Sequence, residues 1–245
     1  GAALNASSIE IWTDVDGILS ADPSIVNDAK SIPNLTYEEA MELAHAGARV
    51  IFPPTMIPAK FKQIPIVIKN TFNPDYPGSL IKHTRRVNGE KAVGISSISD
   101  ISLLRFQGAG MVSIPGINSR IFSALAKKKA SVLLVSQAFS EHATCFALNP
   151  IMVRKAIKAL EEEFAVEMKN HYIDPIRIEE KLSMVAVVGE GMRHTPGISG
   201  TVFGTLGNQE VNIIAIAQGS SERNISFIVE DREVGRAIQA LHREF

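Results

Sequence analysis

Two stretches of the chain carry the same succession of apolar and polar positions. Pro196 to Glu222, PGISGTVFGTLGNQEVNIIAIAQGSSE, is a diverged copy of Pro115 to Glu141, PGINSRIFSALAKKKASVLLVSQAFSE. At a constant offset of 81, without a gap, Ile101 to Phe164 and Leu182 to Phe245 agree at 20 of 64 positions. Self-similarity at one fixed spacing marks a repeated structural unit. The identities include Gly108 with Gly189, Gly110 with Gly191, Pro115-Gly116-Ile117 with Pro196-Gly197-Ile198, Gln137 with Gln218, and Ser140-Glu141 with Ser221-Glu222.

Each copy predicts the same elements. An apolar run (Ile101 to Phe106; Leu182 to Val188) enters a Gly-rich turn, and Pro-Gly then precedes a helical spacing, Ile117, Ile121, Phe122, Leu125 against Ile198, Val202, Phe203, Leu206. A β-branched run follows (Val132 to Val135; Ile213 to Ile216), then a second strand (Thr144 to Leu148; Ile225 to Val229) and a helix from about Met152 or Glu233 to the closing Phe. The unit is βαββα, and a split βαβ sandwich needs one more strand. His171 to Ile178 can supply it for the first copy, whereas Ala92 to Ser97, just upstream, can cross over to complete the second. The first copy is then inserted into the second. A strand lying beyond Phe245 is the alternative.

Upstream, Ile9 to Trp12 reads as a strand running into Thr13-Asp14-Val15-Asp16-Gly17. Thr36 and Glu39 form a capping box for a helix ended by Gly47; Arg49 to Phe52 reads as a strand, Pro53 starts a short helix, and Ile64 to Ile68 is a buried strand. Asn73 to Ser79 is rich in turn formers, and His83, Arg85 and Arg86 read as a solvated linker, with a boundary near 85 to 91.

Composition narrows the class without deciding it. With 245 residues, 45% hydrophobic, and a net charge of −1, the chain reads as a soluble globular one with no basic surface for nucleic acid. It has no apolar run long enough to span a bilayer and no signal-peptide pattern, so no membrane partner is expected. The single Cys145 excludes an internal disulfide framework and fits a reducing cytoplasm; on a strand it reads as a small core residue. No Walker motif occurs, the glycine pairs lack the third Gly of a dinucleotide site, and the six histidines do not form a zinc pattern.

Three places could carry chemistry. Gln137 and Gln218 each end a β-branched run, and a primary amide offers two donors and an acceptor to a small polar ligand. Gly116-Ile117 and Gly197-Ile198 open helices whose free N–H groups favour a carboxylate. Asn212, with Ser131 as its counterpart, is a weaker candidate. The bland alternative has both glutamines merely finishing the sheet. Thr13 and Asp14, at the carboxyl end of a strand, stand where an open α/β sheet takes ligands, although Asp-Gly turns also arise for purely structural reasons.

These residues carry a resemblance. The two copies resemble ACT domains, small ferredoxin-like modules that bind amino acids. QGSSERNIS and VVGEGMRHTPGIS are similar to the regulatory region of aspartokinases of the bifunctional aspartokinase/homoserine dehydrogenase type, and EIWTDVDGILSADP, YEEAMELAHAGARVIFPPT and IPIVIKNTFNP extend the likeness over the whole chain. The resemblance implies an α/β plus α+β fold: residues 1–90 as the carboxyl-terminal part of an amino-acid kinase domain, 100–179 as a first ACT domain (βαββαβ), and 91–99 with 180–245 as a second. It implies ATP with magnesium as the kinase's requirement and nucleotide contacts at Thr13, Asp14, Leu19, Ser24 and Arg49. The family commonly has an aromatic residue, an arginine and a lysine at the last three, so ring stacking and one charge are lost here, while Arg49 keeps its charge. It also implies effector contacts at Gln137 and Gln218, threonine as the effector, and a homo-oligomer formed through the ACT domains. The family's Lys-Phe-Gly-Gly-Thr-Ser-like stretch does not occur, so no catalytic residue is assigned and this polypeptide alone is expected to be inactive. A non-catalytic amino-acid sensor with a degenerate kinase remnant is the alternative.

Overall fold

The computed structural model describes residues 1–48, 50–85, 89, 91–111, 115–137 and 143–245. Arg49 and the Ser140-Glu141 pair of the first copy lie outside the described residues, as does Arg86. A short 3-10 turn, Ala2–Leu4, precedes β1 (Ile9–Thr13), β2 (Asn34–Thr36), α1 (Tyr37–His45), α2 (Pro53–Phe61), β3 (Ile66–Asn70) and β4 (Ser79–Lys82). These strands form a sheet in the order β1-β3-β4-β2, in which β1 and β3 are parallel, with Thr13 opposite Asn70.

The capping box is present as the sequence predicts: the Thr36 side chain accepts from Glu39 N–H, and Glu39 reaches back to Thr36 N–H. The strand expected over Arg49 to Phe52 does not form in its described part. Val50 and Ile51 turn, and Phe52 takes an extended conformation (φ −86°, ψ 118°) because a residue before proline is pushed out of the helical region; it becomes the N-cap of α2, with Pro53 and Pro54 in the first turn. The sheet instead recruits β2 and β4, three and four residues long, which are too short to show a period in the sequence.

The remaining elements are β5 (Gly94–Gln107), α3 (Ile117–Lys127), β6 (Val132–Gln137), β7 (Ala143–Leu148), α4 (Pro150–Glu163), α5 (Ala165–Lys169), β8 (Arg177–Val188), α6 (Ile198–Asn208), β9 (Ala215–Gln218), β10 (Asn224–Glu230) and α7 (Val234–Glu244). The two expected crossover strands are not separate elements. Residues 94–98 continue directly into the first strand of copy one, and residues 177–181 into the first strand of copy two, so β5 and β8 are single strands of 14 and 12 residues. Each contains one left-handed residue, Asp100 (φ 54°) and Lys181 (φ 58°), at positions related by the same offset of 81. Lys129 and Glu210 (φ 55° and 54°) repeat the match after α3 and α6. Non-glycine residues in this region cost roughly 1–2 kcal/mol each, so the duplication extends to strained backbone, not only to side chains.

The chain divides into two compact units. The smaller, 99–183 with 215–217, contains copy one in the strand order β6-β7-β5-β8, where β5 and β7 run antiparallel from Ser102↔Leu148 to Gln107↔Ala143. Phe106, Phe146, Phe164, Ile121 and Leu160 fill its core. The larger unit, 1–98 with 184–214 and 218–245, holds the kinase-like segment and copy two apart from residues 215–217 of β9; the strands of copy two follow the order β5-β8-β10-β9. Val93 N–H donates to Val188 C=O at 2.7 Å, and the start of β5 thereby closes the second sandwich. Both are ferredoxin-like sandwiches, copy one running βαββαβ in chain order and copy two taking its remaining strand from upstream, and in both the strand before the first helix ends at a glycine with no room for a side chain. A Cβ on Gly108 would lie 2.3 Å from Tyr172 O, and one on Gly189 would lie 2.4 Å from Lys91 O.

Within the larger unit the kinase-like segment and copy two share cores. Ala21 and Val26 are buried with Ile198, Val202, Phe227, Ile238 and Leu241, while Ala186 and Val188 of β8 are buried with Leu35, Leu43 and Ile68. Arg85, read as solvated from its sequence context, is buried: its side chain is 4% exposed, and its guanidinium donates to both carboxylate oxygens of Glu39 at 2.8 Å. A fork-shaped donor facing a carboxylate desolvates together with it, which a charge pattern along the chain does not reveal.

Candidate functional site

The effector candidates occupy equivalent geometry in the two copies. α3 and α6 each begin after a left-handed glycine, Gly116 (φ 88°) and Gly197 (φ 89°), and neither helix has a side-chain cap. The N–H groups of Ile117 and Ile198 therefore open helix N-termini at which no side chain competes for an anion. Among the described residues nothing lies within 4 Å of where a Cβ on either glycine would stand, and the positive φ is what favours glycine there.

The glutamine at the end of the neighbouring strand meets the second residue of the helix in each copy. Asn118 Nδ2 donates to Gln137 Oε1 at 3.0 Å, and Ser199 Oγ donates to Gln218 Oε1 at 3.4 Å. Both amides are exposed and set beside an uncapped N-terminus, where their NH₂ groups can reach a ligand. Asn118 and Ser199 are members of this arrangement that the sequence reading missed; their polar character at one offset, beside the Pro-Gly-Ile identity, was the available signal. Asn212 is exposed ahead of β9.

In copy two the surrounding turns are pinned. Glu222, with φ 56°, accepts from His194 N–H at 2.7 Å and so ties the Ser221-Glu222 turn to the turn after β8. Glu190 pairs with Arg223 and, at 2.8 Å, with Arg193. Burial works against its ionisation, but the hydrogen bonds from the two guanidinium groups prevail and hold its carboxyl below the ordinary carboxylate range. Its N–H donates to Glu39 Oε1 at 2.8 Å, and Asn224 Nδ2 donates to Glu42 Oε2 at 2.8 Å. One polar network thus joins α1 of the kinase-like segment to the turn after β8 and to the turn between β9 and β10.

Two of the nucleotide candidates, Thr13 and Asp14, stand at the carboxyl end of β1, which runs parallel to β3. Thr13 Oγ1 donates to Asp14 Oδ1 at 3.1 Å, with Asp14 exposed, while Asp16 accepts from Asn70 and Asn73 at 2.8 and 3.2 Å. Leu19 bridges to Ser31, starting a two-stranded excursion that carries Ser24 at its tip. Ser24 is exposed, and its Oγ and N–H both donate to Asp22 Oδ1, at 2.6 and 2.8 Å. Hydroxyl, carboxylate and amide groups suit the ribose and base edges of a nucleotide better than its phosphates. Lys69, the described cation closest in sequence to this edge, lies over the Trp12 ring at 5.0 Å. No group of three or more metal-ligating side chains occurs among the described residues, and no described helix is long and apolar enough to cross a membrane.

Comparison with known proteins agrees with this division. The family model described as ACT domain matches residues 104–164 and 185–245, and that of the amino acid kinase family matches 1–70. A bifunctional aspartokinase/homoserine dehydrogenase of Haemophilus influenzae is 41% identical over 242 residues, 99% of this chain and 30% of the relative. Aspartokinase 1 of Arabidopsis thaliana, chloroplastic, is 33% identical over 100% of this chain and 42% of its own. This chain therefore spans well under half the length of these relatives. Among solved structures, Clostridium acetobutylicum aspartate kinase matches with a TM-score of 0.90 at 33% identity, covering 100% of this chain and 55% of that one. E. coli aspartokinase III in complex with aspartate and ADP matches with a TM-score of 0.85 at 27% identity, covering 100% and 53%. A duplicated ACT fold built onto the rear of an amino-acid kinase domain, matched along its whole length by aspartate kinases, makes this chain a member of the aspartokinase family.

Proposed function

We propose that the protein containing this chain phosphorylates the β-carboxylate of L-aspartate with MgATP, and that the chain supplies the nucleotide-side rear of the kinase domain with its amino-acid-sensing regulator. Residues 1–90 form the kinase part, 100–179 the first ACT domain, and 91–99 with 180–245 the second. The effector is L-threonine. Its carboxylate meets the open N-terminus at Gly116-Ile117 or Gly197-Ile198, and its amino and hydroxyl groups meet the Gln137 or Gln218 amide, with Asn212 at the edge in copy two. The observation that carries this reading is the repetition, in both copies, of a glutamine bonded to the second residue of an uncapped helix. ADP in the E. coli relative supports nucleotide contacts at Thr13, Asp14, Leu19 and Ser24, with Arg49 supplying charge.

The same relative solved with lysine and aspartate supports amino-acid control of the fold, and threonine is our choice of effector among the small amino acids. We place the protein in the cytoplasm, as a homo-oligomer assembled through its ACT domains, with a homoserine dehydrogenase part following Phe245. The buried side chains shared by the kinase-like segment and copy two offer a route for coupling between them. Two affinities for two states are still required of the effector.

The engagement of Ser24 with Asp22 favours a second reading, a sensor whose kinase remnant has lost nucleotide. An assay of the full-length protein for aspartyl phosphate, trapped with hydroxylamine, separates the two: the kinase gives an ATP-dependent hydroxamate, and a sensor gives none.

A further inference from the structure

The excursion between Ile18 and Ile32 is a two-stranded projection, closed by Ser20 N–H to Lys30 C=O and Ile32 N–H to Ile18 C=O, each at 2.8 Å. Its tip folds over Asp22, whose carbonyl accepts from Ile25 and Val26 at 3.0 and 2.9 Å. The kinase-like sheet holds only its base. The rest is held by the start of β5, where Ile95 N–H donates to Ser20 C=O at 2.8 Å, and by α7, the last helix of copy two. Gln239 Nε2 donates to Ile25 C=O at 2.9 Å, and His242 Nε2 is hydrogen-bonded to Ser20 Oγ at 2.8 Å. Ser20 Oγ also accepts from Lys30 N–H at 2.9 Å, so His242 bonds a hydroxyl that ties both arms of the projection together above the base, where Ser79 Oγ joins Ile18 and Ile32. Between these bonds, Ala21 and Val26 are each 4% exposed and are buried in the cluster that contains Ile238 and Leu241.

The duplication provides an internal control. At an offset of 81, Gln239 and His242 correspond to Lys158 and Glu161 of α4. Both are exposed; Lys158 is 74% exposed and pairs only loosely with Glu162, at 3.8 Å along the same helix. The two helices keep Val, Ala, Ile, Ala and Leu in common on their core faces, and they differ where copy two meets the projection.

We propose that Gln239 and His242 are positioning residues for the nucleotide side, so that nucleotide affinity is set through the last helix of copy two and not through copy one. This rests on the reading of Leu19 and Ser24 as nucleotide contacts, since both lie on the projection. A packed route makes it a route of control as well. α7 shares its core cluster with Ile198, Val202 and Leu206 of α6, the helix whose open N-terminus stands beside Gln218. A ligand that shifts α6 shifts the support of the projection. Such coupling is carried by contiguous packed elements whose equilibrium both sites bias.

The test is calorimetric titration of ADP into the full-length wild-type protein and into its Gln239→Ala, His242→Ala, Lys158→Ala and Glu161→Ala variants, with amide hydrogen exchange on the same proteins. Loss of one hydrogen bond of about 0.5–1.5 kcal/mol corresponds to a rise in Kd of roughly two- to tenfold. The expected result is that rise in Q239A and H242A and no change in the two copy-one variants. The amides of Ser20, Lys30 and Ile32 should exchange faster while those of β10 do not, which a general loosening of copy two would not give. Gln239 lies on the surface, so its variant keeps the test open should H242A fail to fold. Equal ADP affinity in wild type, Q239A and H242A overturns the control through α7 and leaves the nucleotide reading standing. No ADP binding by wild type overturns the nucleotide reading itself, and exchange then decides whether α7 positions the projection: unchanged loop amides refute it.

Discussion

Copy one and copy two have one topology and different neighbours. Copy one closes a core of its own around Phe106, Phe146 and Phe164. Copy two buries Ala21 and Val26 of the kinase-like segment together with its own Phe227, and it lends Ala186 and Val188 to the core beneath α1. The strained backbone positions, the glycines at Gly108 and Gly189, and the glutamine beside each open helix end are the same in both. Differences concentrate on outward helix faces and turns: Lys158 and Glu161 against Gln239 and His242, Arg120 against Thr201. Duplication preserved what a ferredoxin-like sandwich needs to fold and to present an uncapped helix start, while one copy was fitted to the kinase-like segment.

This contrast can be broken from the cores inward. Phe146 and Phe227 are equivalent and fully buried. Truncating either to Ala should cost about 3–5 kcal/mol. In F146A, exchange should rise across residues 99–183 and leave residues 9–82 protected, whereas F227A should expose both copy two and the Ala21–Val26 segment. Equal protection of residues 9–82 in the two variants would dissolve the contrast. Of similar size is Glu39→Ala, which leaves Arg85 buried without its carboxylate; breaking a buried pair this way costs about 3–5 kcal/mol. A chemical-denaturation midpoint unchanged in E39A would contradict the shared core.

A smaller effect should come from Arg120, present only in copy one. It bonds Glu163 at 2.9 Å and Glu167 at 2.6 Å, donates to the Glu163 carbonyl at the end of α4, and lies over the Phe164 ring at 4.3 Å. With the side chain 38% exposed, solvent screening brings its removal to roughly 1 kcal/mol. Thr201→Ala, the copy-two equivalent, should stay within about 0.5 kcal/mol.

Acid gives a further distinction. Glu38 and Glu190, at the junction of α1 and copy two, both lie below the ordinary carboxylate value; burial opposes this in each, and hydrogen bonds from Lys60 or from Arg223 and Arg193 overcome it. A carboxylate with a lowered folded pKa adds stability above its unfolded pKa, near 4.5, and loses it as pH falls through the folded value. Stability of the larger unit should therefore decline below about pH 4.5, and Glu190→Gln should flatten that decline. An unchanged acid limb in E190Q would remove Glu190 from the junction.

Much of this was legible in the chain. The repeat placed both sandwiches and both glutamines, because period and identity survive divergence on buried faces. The insertion of one copy in the other followed from counting strands. What the sequence hid was local and three-dimensional. β2 and β4 are too short to show a period, and Arg49 to Phe52 has strand-forming side chains but precedes two prolines. Arg85 looks solvated until Glu39 is brought to it from 46 residues away. Gln239 and His242 could not be assigned a role, since their partners Ile25 and Ser20 lie 214 and 222 residues upstream.

Regulation through the two sandwiches depends on whether the repeated amide beside an open helix end binds an amino acid. Calorimetric titration of L-threonine, with L-lysine and L-methionine as comparisons, into wild type, Gln137→Ala and Gln218→Ala tests it directly. Binding through these amides predicts heat with threonine in wild type and an affinity reduced roughly two- to tenfold or more in at least one variant, as expected for one lost amide contact. Identical threonine heats in all three proteins would contradict it.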